Sequence, residues 1–240
     1  MGKKIIGKRQ FNEDLKIDIL KDVSIFSGLN QDELREVAKY MSIKRYEKGE
    51  YLFFEEEAEP GIFILVEGIV KIIKETQDGK TIIVRLVFPK DIFGWIEWDD
   101  KVAKNTYTAR AVTDTVVLYI SNRDFINLAI KYPAVAVKMT CDATVNLLNT
   151  YEILKSIASG RVEERIAKVL LELADRIGEK VDSVIVIEAP ITRQDIAEMT
   201  GTTVETTIRV MSKWKKQGII NTERGYIEIL NKRELERLII

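Results

Sequence analysis

The chain contains no histidine, a single cysteine (Cys141) and only four prolines in 240 residues. Without histidine the commonest metal ligand and general base is missing. Ser-His and Cys-His nucleophile systems cannot be assembled either. One cysteine closes no internal disulfide and supplies no all-cysteine zinc site or four-cysteine iron–sulfur cluster. No apolar run approaches the ~18 residues that would cross a bilayer. The opening MGKKIIGKRQFNEDLKIDIL is charged throughout and lacks the apolar core of a secretory signal. These absences lead to the expectation of a cytoplasmic protein that is not an enzyme, with no membrane partner, cofactor or metal.

What the chain does have is 46% hydrophobic and 31% charged residues, the balance of a soluble globular protein. Its length suffices for two domains with their own cores. The formal net charge is −1, so the chain as a whole is not an electrostatic nucleic-acid binder. From Thr203 to Gln217 the balance differs: Arg209, Lys213, Lys215 and Lys216 stand against Glu205, a local +3.

That basic stripe lies in ITRQDIAEMTGTTVETTIRVMSKWKKQ, from Ile191 to Gln217. Thr192 stands at an N-cap with Asp195 three residues on, and Thr202 and Glu205 repeat the spacing. Gly201 between them can take the positive φ of a tight interhelical turn. Ile208, Met211 and Trp214 follow at helical period. The pattern fits a helix-turn-helix whose second helix enters a DNA major groove, or an ordinary helical hairpin.

Upstream, Asn12 to Met41 reads as helical and then loop, with Ser27 or Asn30 as a cap. Ile43 to Ser121 carries short strand-like runs punctuated by Gly49, Pro60-Gly61, Gly68, Asp78-Gly79 and Gly94. Such spacing implies an antiparallel barrel or jelly roll, its interior either filled or hollowed for a ligand. Pro133 opens a helix of roughly 25 residues that reaches Ser159-Gly160. One seam of it carries Ala136, Thr140, Ala143, Leu147, Thr150, Leu154 and Ile157; the other carries Val137, Cys141, Thr144, Leu148, Tyr151 and Ala158. One face is expected to pack on the barrel and the other on a second subunit. Ser159-Gly160 reads as a hinge and fresh cap. Beyond it come a helix from Val162, a strand over Val181 to Ile187, the helix-turn-helix, a hairpin around Arg224-Gly225 and a last helix from Lys232. The fold class is thus α+β: residues 1–131 a β-roll domain, 132–159 a dimerisation helix, and 160–240 a winged helix-turn-helix.

The order of these parts resembles the cAMP receptor protein/fumarate–nitrate reductase regulator (CRP/FNR) family from about Leu20 to Leu230. YEKGEYLF, Val66 to Gly68, Asp78-Gly79, Asp91 to Gly94, RVEERIAKVLLELA and ITRQDIAEMTGTTVETTIRVM carry the likeness. The resemblance implies a cyclic-nucleotide-binding-like β-roll and a transcriptional regulator that binds double-stranded DNA as a homodimer, with RNA polymerase a candidate partner. It implies base reading by Glu205 and Arg209, joined by Val204 and Ile208, with half-sites of TTGA type. Thr192, Arg193, Thr203, Lys213, Lys215 and Lys216 are candidates for phosphate contacts.

Cyclic-nucleotide members follow the glycine matching Gly94 with glutamate and place arginine-serine about ten residues on. Here Trp95 and Asn105-Thr106 stand instead, and Asn105 cannot offer the charged fork that grips phosphate. Glu97, Asp99 and Asp100 add negative charge that repels an anion. Cyclic-nucleotide binding is therefore expected to be lost, which leaves an unidentified small effector, a thiol switch at Cys141, or no effector. Candidate lining for an effector pocket is Trp95, Glu97, Asn105, Thr106, Tyr107, Thr150 and Tyr151, with Trp98 nearby. The same aromatics could simply fill the barrel, and Cys141 could be a small buried hydrophobe. The competing class is a β-barrel ligand-binding protein whose winged helix contacts other proteins.

Overall fold

A computed structural model describes residues 13–58, 61–98, 104–223 and 225–239. Asn12, Pro60, Asp99, Asp100 and Arg224 lie outside the described residues.

The chain opens with α1 (Glu13–Lys21), a 3-10 turn (Ser24–Phe26) and α2 (Gln31–Tyr40). Asn30, not Ser27, caps α2, in a reciprocal box with Glu33. Eight strands follow: β1 (Ser42–Tyr46), β2 (Tyr51–Phe53), β3 (Gly61–Glu67), β4 (Val70–Glu75), β5 (Thr81–Val87), β6 (Ile92–Gly94), β7 (Thr108–Ala111) and β8 (Thr115–Ser121). They form two antiparallel sheets, ordered β1-β8-β3-β6 and β2-β7-β4-β5, and make the expected roll.

Period-2 alternation decides what each face of the roll meets. In β3 and β8, Ile62, Ile64, Leu118 and Ile120 point outward onto Ile17, Leu20, Phe26, Leu34 and Val37. Phe63, Leu65 and Val117 point inward, with Phe93 of β6, and meet Phe53, Val70, Ile72, Val87 and Ala109 from the second sheet. Strands buried on both faces read as unbroken apolar runs, which is why GIFILVE and VVLYI lack polar alternation. The outer face of the second sheet is covered in turn by the C-terminal domain.

Then come α3 (Asn122–Lys131) and α4 (Pro133–Ser159). At 27 residues, with Pro133 in its first turn, α4 is the longest helix among the described residues. The expectation for its two seams is corrected here. The stripe that packs on the N-terminal domain is Val135, Lys138, Met139 and Asp142, which belongs to neither seam. Lys138 reaches Ser27, and Asp142 accepts from Ser24. Val137, Val145, Leu147, Leu148, Tyr151, Ile153, Leu154 and Ile157 are all exposed, so both seams face outward. Among the described residues, nothing covers these apolar side chains of α4. No helix among the described residues is long and apolar enough to cross a membrane.

The C-terminal domain comprises α5 (Val162–Ile177), β9 (Glu179–Val181), β10 (Val184–Glu188), α6 (Arg193–Thr200), α7 (Val204–Lys216), β11 (Ile220–Glu223), β12 (Tyr226–Ile229) and α8 (Lys232–Arg237). Its four strands pair in the order β11-β12-β10-β9. The break before α5 is Gly160-Arg161, both in extended backbone. Arg161 is the N-cap without a side-chain bond, so Ser159 is not the cap expected there.

Candidate nucleic-acid interface

Two short helices hold the candidate interface, and each is fixed at its ends. Thr192 and Asp195 form a reciprocal capping box on α6. The Asp195 backbone N–H donates to Thr192 Oγ1 at 3.0 Å, and Thr192 N–H donates to Asp195 Oδ2 at 2.9 Å. Burial pushes the Asp195 carboxyl up, but hydrogen bonds from Lys71 and Thr192 outweigh it and hold the group below the usual carboxylate range. Gly201 ends α6 at φ 59°, the left-handed conformation a side chain resists. Apolar residues then fasten the pair to α5: Ile196, Val210, Met211 and a fully buried Trp214 share one cluster with Ile166, Leu170 and Leu173.

The cap of α7 differs from expectation. Thr203, not Thr202, is its N-cap, with the Thr206 N–H donating to the Thr203 hydroxyl at 3.2 Å. Thr202 belongs to the turn, its N–H donating to Ala197 O at 3.1 Å. Glu205 is then the second residue of the helix, one short of the position that closes a capping box. It also forms no ion pair with Arg209 among the described residues, although the two share a face. Glu205, Ile208, Arg209, Ser212 and Lys216 are exposed along that face, and Val204 is half-buried at its start. Among the described residues no side chain pairs with Glu205 or Arg209, so this stripe has the exposure that contact with base edges requires.

The phosphate candidates surround this face in varied states. Thr192 and Thr203 are engaged as caps. Arg193 donates to Thr222 Oγ1 at 2.8 Å, and Lys215 donates to Thr222 O at 3.1 Å, so both lean on the wing strand β11. Lys213 pairs with Glu163 at 2.9 Å. Lys216 is exposed. Exposed pairs of this kind are worth little, about 0–1 kcal/mol, and yield to a phosphate at small cost.

Sequence reasoning missed Arg165. Its Nε donates to Thr200 O at 2.7 Å and its Nη1 to Gly160 O at 2.9 Å, tying the last turn of α6 to the junction below α4. Lys71, on β4 of the roll, was missed too; it reaches Asp195. Neither residue carries a signal of its role, because Thr200 lies 35 residues from Arg165 and Asp195 lies 124 from Lys71.

The proposed effector lining does not converge. Tyr107 joins Phe53, Phe63 and Phe93 inside the roll, with ring centroids 5.1–5.6 Å apart for Phe53–Phe63, Phe63–Phe93 and Phe53–Tyr107. Its hydroxyl donates to Gly94 O at 3.0 Å and accepts from Gly94 N–H at 2.6 Å. Burial raises the Tyr107 phenol against the opposing pull of that backbone bond. Asn105 is buried, its backbone paired with Glu56 and Glu57. Thr106 O accepts from Lys74 at 2.6 Å. Glu97 is tied through its backbone to Asn122. Trp95 and Trp98 do not fill the barrel; Trp98 is 79% exposed. Thr150 and Tyr151 are exposed on α4. Cys141 is exposed on the same helix, so the reading of it as a small buried residue does not hold within one chain.

The comparisons with known proteins follow the same division of the chain. The pattern of the Crp-like helix-turn-helix domain matches residues 164–238, and that of the cyclic nucleotide-binding domain matches residues 43–132. A CRP-like cAMP-activated global transcriptional regulator of Mycobacterium tuberculosis is 26% identical over 222 residues, covering 92% of this chain and 98% of its own. The transcriptional regulator LdrP of Thermus thermophilus is 27% identical over 195 residues, or 81% of this chain and 95% of LdrP. The solved structure of FixK2 from Bradyrhizobium japonicum superposes with a TM-score of 0.74 at 26% identity, covering 83% of this chain and 98% of that one. With the capped helix pair, the wing and the roll all in the order these proteins share, the chain belongs to the CRP/FNR family of DNA-binding transcriptional regulators and is not an enzyme.

Proposed function

We propose that the protein is a sequence-specific regulator that binds a two-fold operator as a homodimer and no longer responds to cyclic nucleotides. The observation that carries the DNA reading is the exposed face of α7, unpartnered among the described residues. Arg209 can donate two bonds to guanine O6 and N7, and Glu205 can accept from cytosine N4. Val204 and Ile208 flank them; Val204 suits half-sites of TTGA type, whereas Ile208 is bulkier than the glycine or serine usual at its position. Thr192, Arg193, Thr203, Lys213, Lys215 and Lys216 supply phosphate contacts, which set affinity and salt dependence. This free basic face favours DNA over a protein partner for the winged helix.

The exposed apolar seams of α4 support the dimer. Each fully buried leucine or isoleucine contributes roughly 1.5–3 kcal/mol, so several residues per copy are ample for association. Pairing along α4 would set two α7 helices about one turn of DNA, ~34 Å, apart. The protein would act in the cytoplasm, with RNA polymerase as a candidate partner.

The M. tuberculosis relative is cAMP-activated by its name. In this chain Trp95 and Asn105 replace the residues that grip the nucleotide. Tyr107, Phe53, Phe63 and Phe93 pack in the interior where a ligand would have to enter. Selection of bound duplexes from a random pool by the purified protein, with no effector added, tests the reading. Recovery of a two-fold sequence is the expected result. No enrichment without effector, restored by cAMP, would overturn the loss of cyclic-nucleotide binding; calorimetry with cAMP should show no heat of binding.

A further inference from the structure

The outer face of the roll's second sheet is not an ordinary solvent face. Strand pairing sets Tyr51, Arg110, Lys71 and Leu86 in one row across it. Leu86, together with Ile69, Ile83 and Phe88, is buried in the same cluster as Ile166, Leu170 and Ile196 of the C-terminal domain. Two ion pairs cross this seam. Arg176, in the last turn of α5, pairs with Asp91, which also accepts from the Phe88 N–H at 3.0 Å and has Arg85 at 3.6 Å. Lys71 Nζ stands 2.8 Å from Asp195 Oδ1, with the two side chains only 15% and 10% exposed.

Asp195 is an unusual partner for a strand lysine. Its other oxygen, Oδ2, accepts from the Thr192 N–H at 2.9 Å and from the Thr192 hydroxyl at 2.6 Å, and so caps α6. One carboxylate therefore joins the roll to the first turn of the helix-turn-helix. As a source of stability such a pair is weak, because removing both charges from water offsets most of their attraction. What it supplies is register. An apolar seam tolerates sliding, whereas an ammonium group on β4 meets a buried carboxylate at one position only.

We propose that Lys71 is a positioning residue for DNA recognition: through Asp195 it seats the helix-turn-helix on the roll and fixes the direction in which α7 is presented. This rests on the DNA-binding reading above and extends it into the sensor domain. The seated arrangement leaves Glu205, Ile208 and Arg209 exposed, as base reading requires. In a dimer, two fixed seats hold both α7 helices at one spacing before DNA arrives, which removes an ordering cost from binding. Loss of Lys71 also leaves a carboxylate unneutralised beside Thr192 and Arg193, where phosphates are to dock.

The test uses the full chain as wild type, Lys71→Met and Lys71→Arg. Each is titrated with the selected operator, with versions whose half-site separation is changed by one base pair, and with a random duplex; thermal unfolding is recorded alongside. Lys71→Met should bind the native spacing about tenfold more weakly, within the usual range of coupling between sites. It should also discriminate less between spacings and bind random duplex as before, while Lys71→Arg restores both affinity and spacing preference. Lys71→Gln takes the place of Lys71→Met should the latter not fold. Unchanged affinity and spacing preference in the charge-removed variant would overturn the proposal. So would equal weakening on every duplex in step with lost thermal stability. A wild-type protein that selects no sequence overturns the DNA-binding reading, and the role of Lys71 with it; a wild type that selects an operator which Lys71→Met binds equally well overturns only the latter.

Discussion

The interior of the roll and the exposed face of α7 are opposite solutions to the placement of functional side chains. In the roll, Phe53, Phe63, Phe93 and Tyr107 turn inward and meet one another. Even the Tyr107 hydroxyl is spent on the backbone of Gly94. On α7, Glu205, Ile208, Arg209 and Lys216 turn outward and are exposed, with no ion pair or side-chain hydrogen bond among the described residues. A region whose polar groups satisfy each other is built for rigidity, whereas one that leaves charge unmatched on a rigid helix is built for a partner. The roll thus packs its aromatic side chains against one another, while α7 leaves its charged side chains on the surface.

The comparison can be broken most severely at the roll. Phe63→Ala should cost about 3–5 kcal/mol in denaturant unfolding, because the surrounding aromatic rings cannot collapse into the space. If the interior were a ligand site held open for an effector, the loss would be far smaller. The joint change Leu147→Glu with Leu154→Glu places charge on the exposed seam of α4. It should give monomers in sedimentation and reduce operator affinity by about 100-fold or more, since several kcal/mol of apolar burial are forfeited. Operator affinity that survived in the monomer would show that α4 is not what pairs the reading helices.

On the α7 side, Arg209→Ala should cost ~1–3 kcal/mol at the specific site and flatten base preference there. Equal losses on specific and random duplexes would reassign Arg209 to the phosphates. Thr192→Ala should lower stability by roughly 1 kcal/mol through loss of the cap, and operator binding with it. The smallest effect is expected from Lys216→Ala, which should reduce the slope of log affinity against log salt by about 1 and leave base preference intact.

Acid supplies a further check on the seam between the two regions. Asp195 has its carboxyl held below the ordinary range in the folded chain. Its stabilising contribution is therefore present above the unfolded value of about 3.9 and lost as pH falls through the lower folded value. Unfolding followed from pH 6 downward should show Lys71→Met losing less stability across that window than the wild type.

The helix-turn-helix was legible in the sequence because its determinants are local. Thr192 and Asp195 cap within three residues, Gly201 bends the chain at its own position, and Trp214 follows the helical period. The cap of α7 was displaced by one residue, from Thr202 to Thr203, because adjacent threonines are equivalent as caps until the turn geometry chooses between them. The jelly roll was legible from strand spacing and from Asp78-Gly79, where the chain turns with Gly79 at φ 76°. The effector lining was not. Trp95 and Trp98 are apolar enough for a core, yet where they point depends on how β6 ends, and no periodicity reports that.

The sequence by itself determined the order of the roll and the helix-turn-helix, the place of that helix pair and the absence of histidine chemistry, because each of these follows from composition or from contacts within a few residues. The tertiary structure alone decided that the roll is filled by Tyr107 and its neighbours, that both seams of α4 stay uncovered within one chain, and that Lys71 meets Asp195 across 124 residues. Such pairings depend on how whole sheets and helices are stacked, and a strand lysine looks the same in sequence whether it meets water or a buried carboxylate.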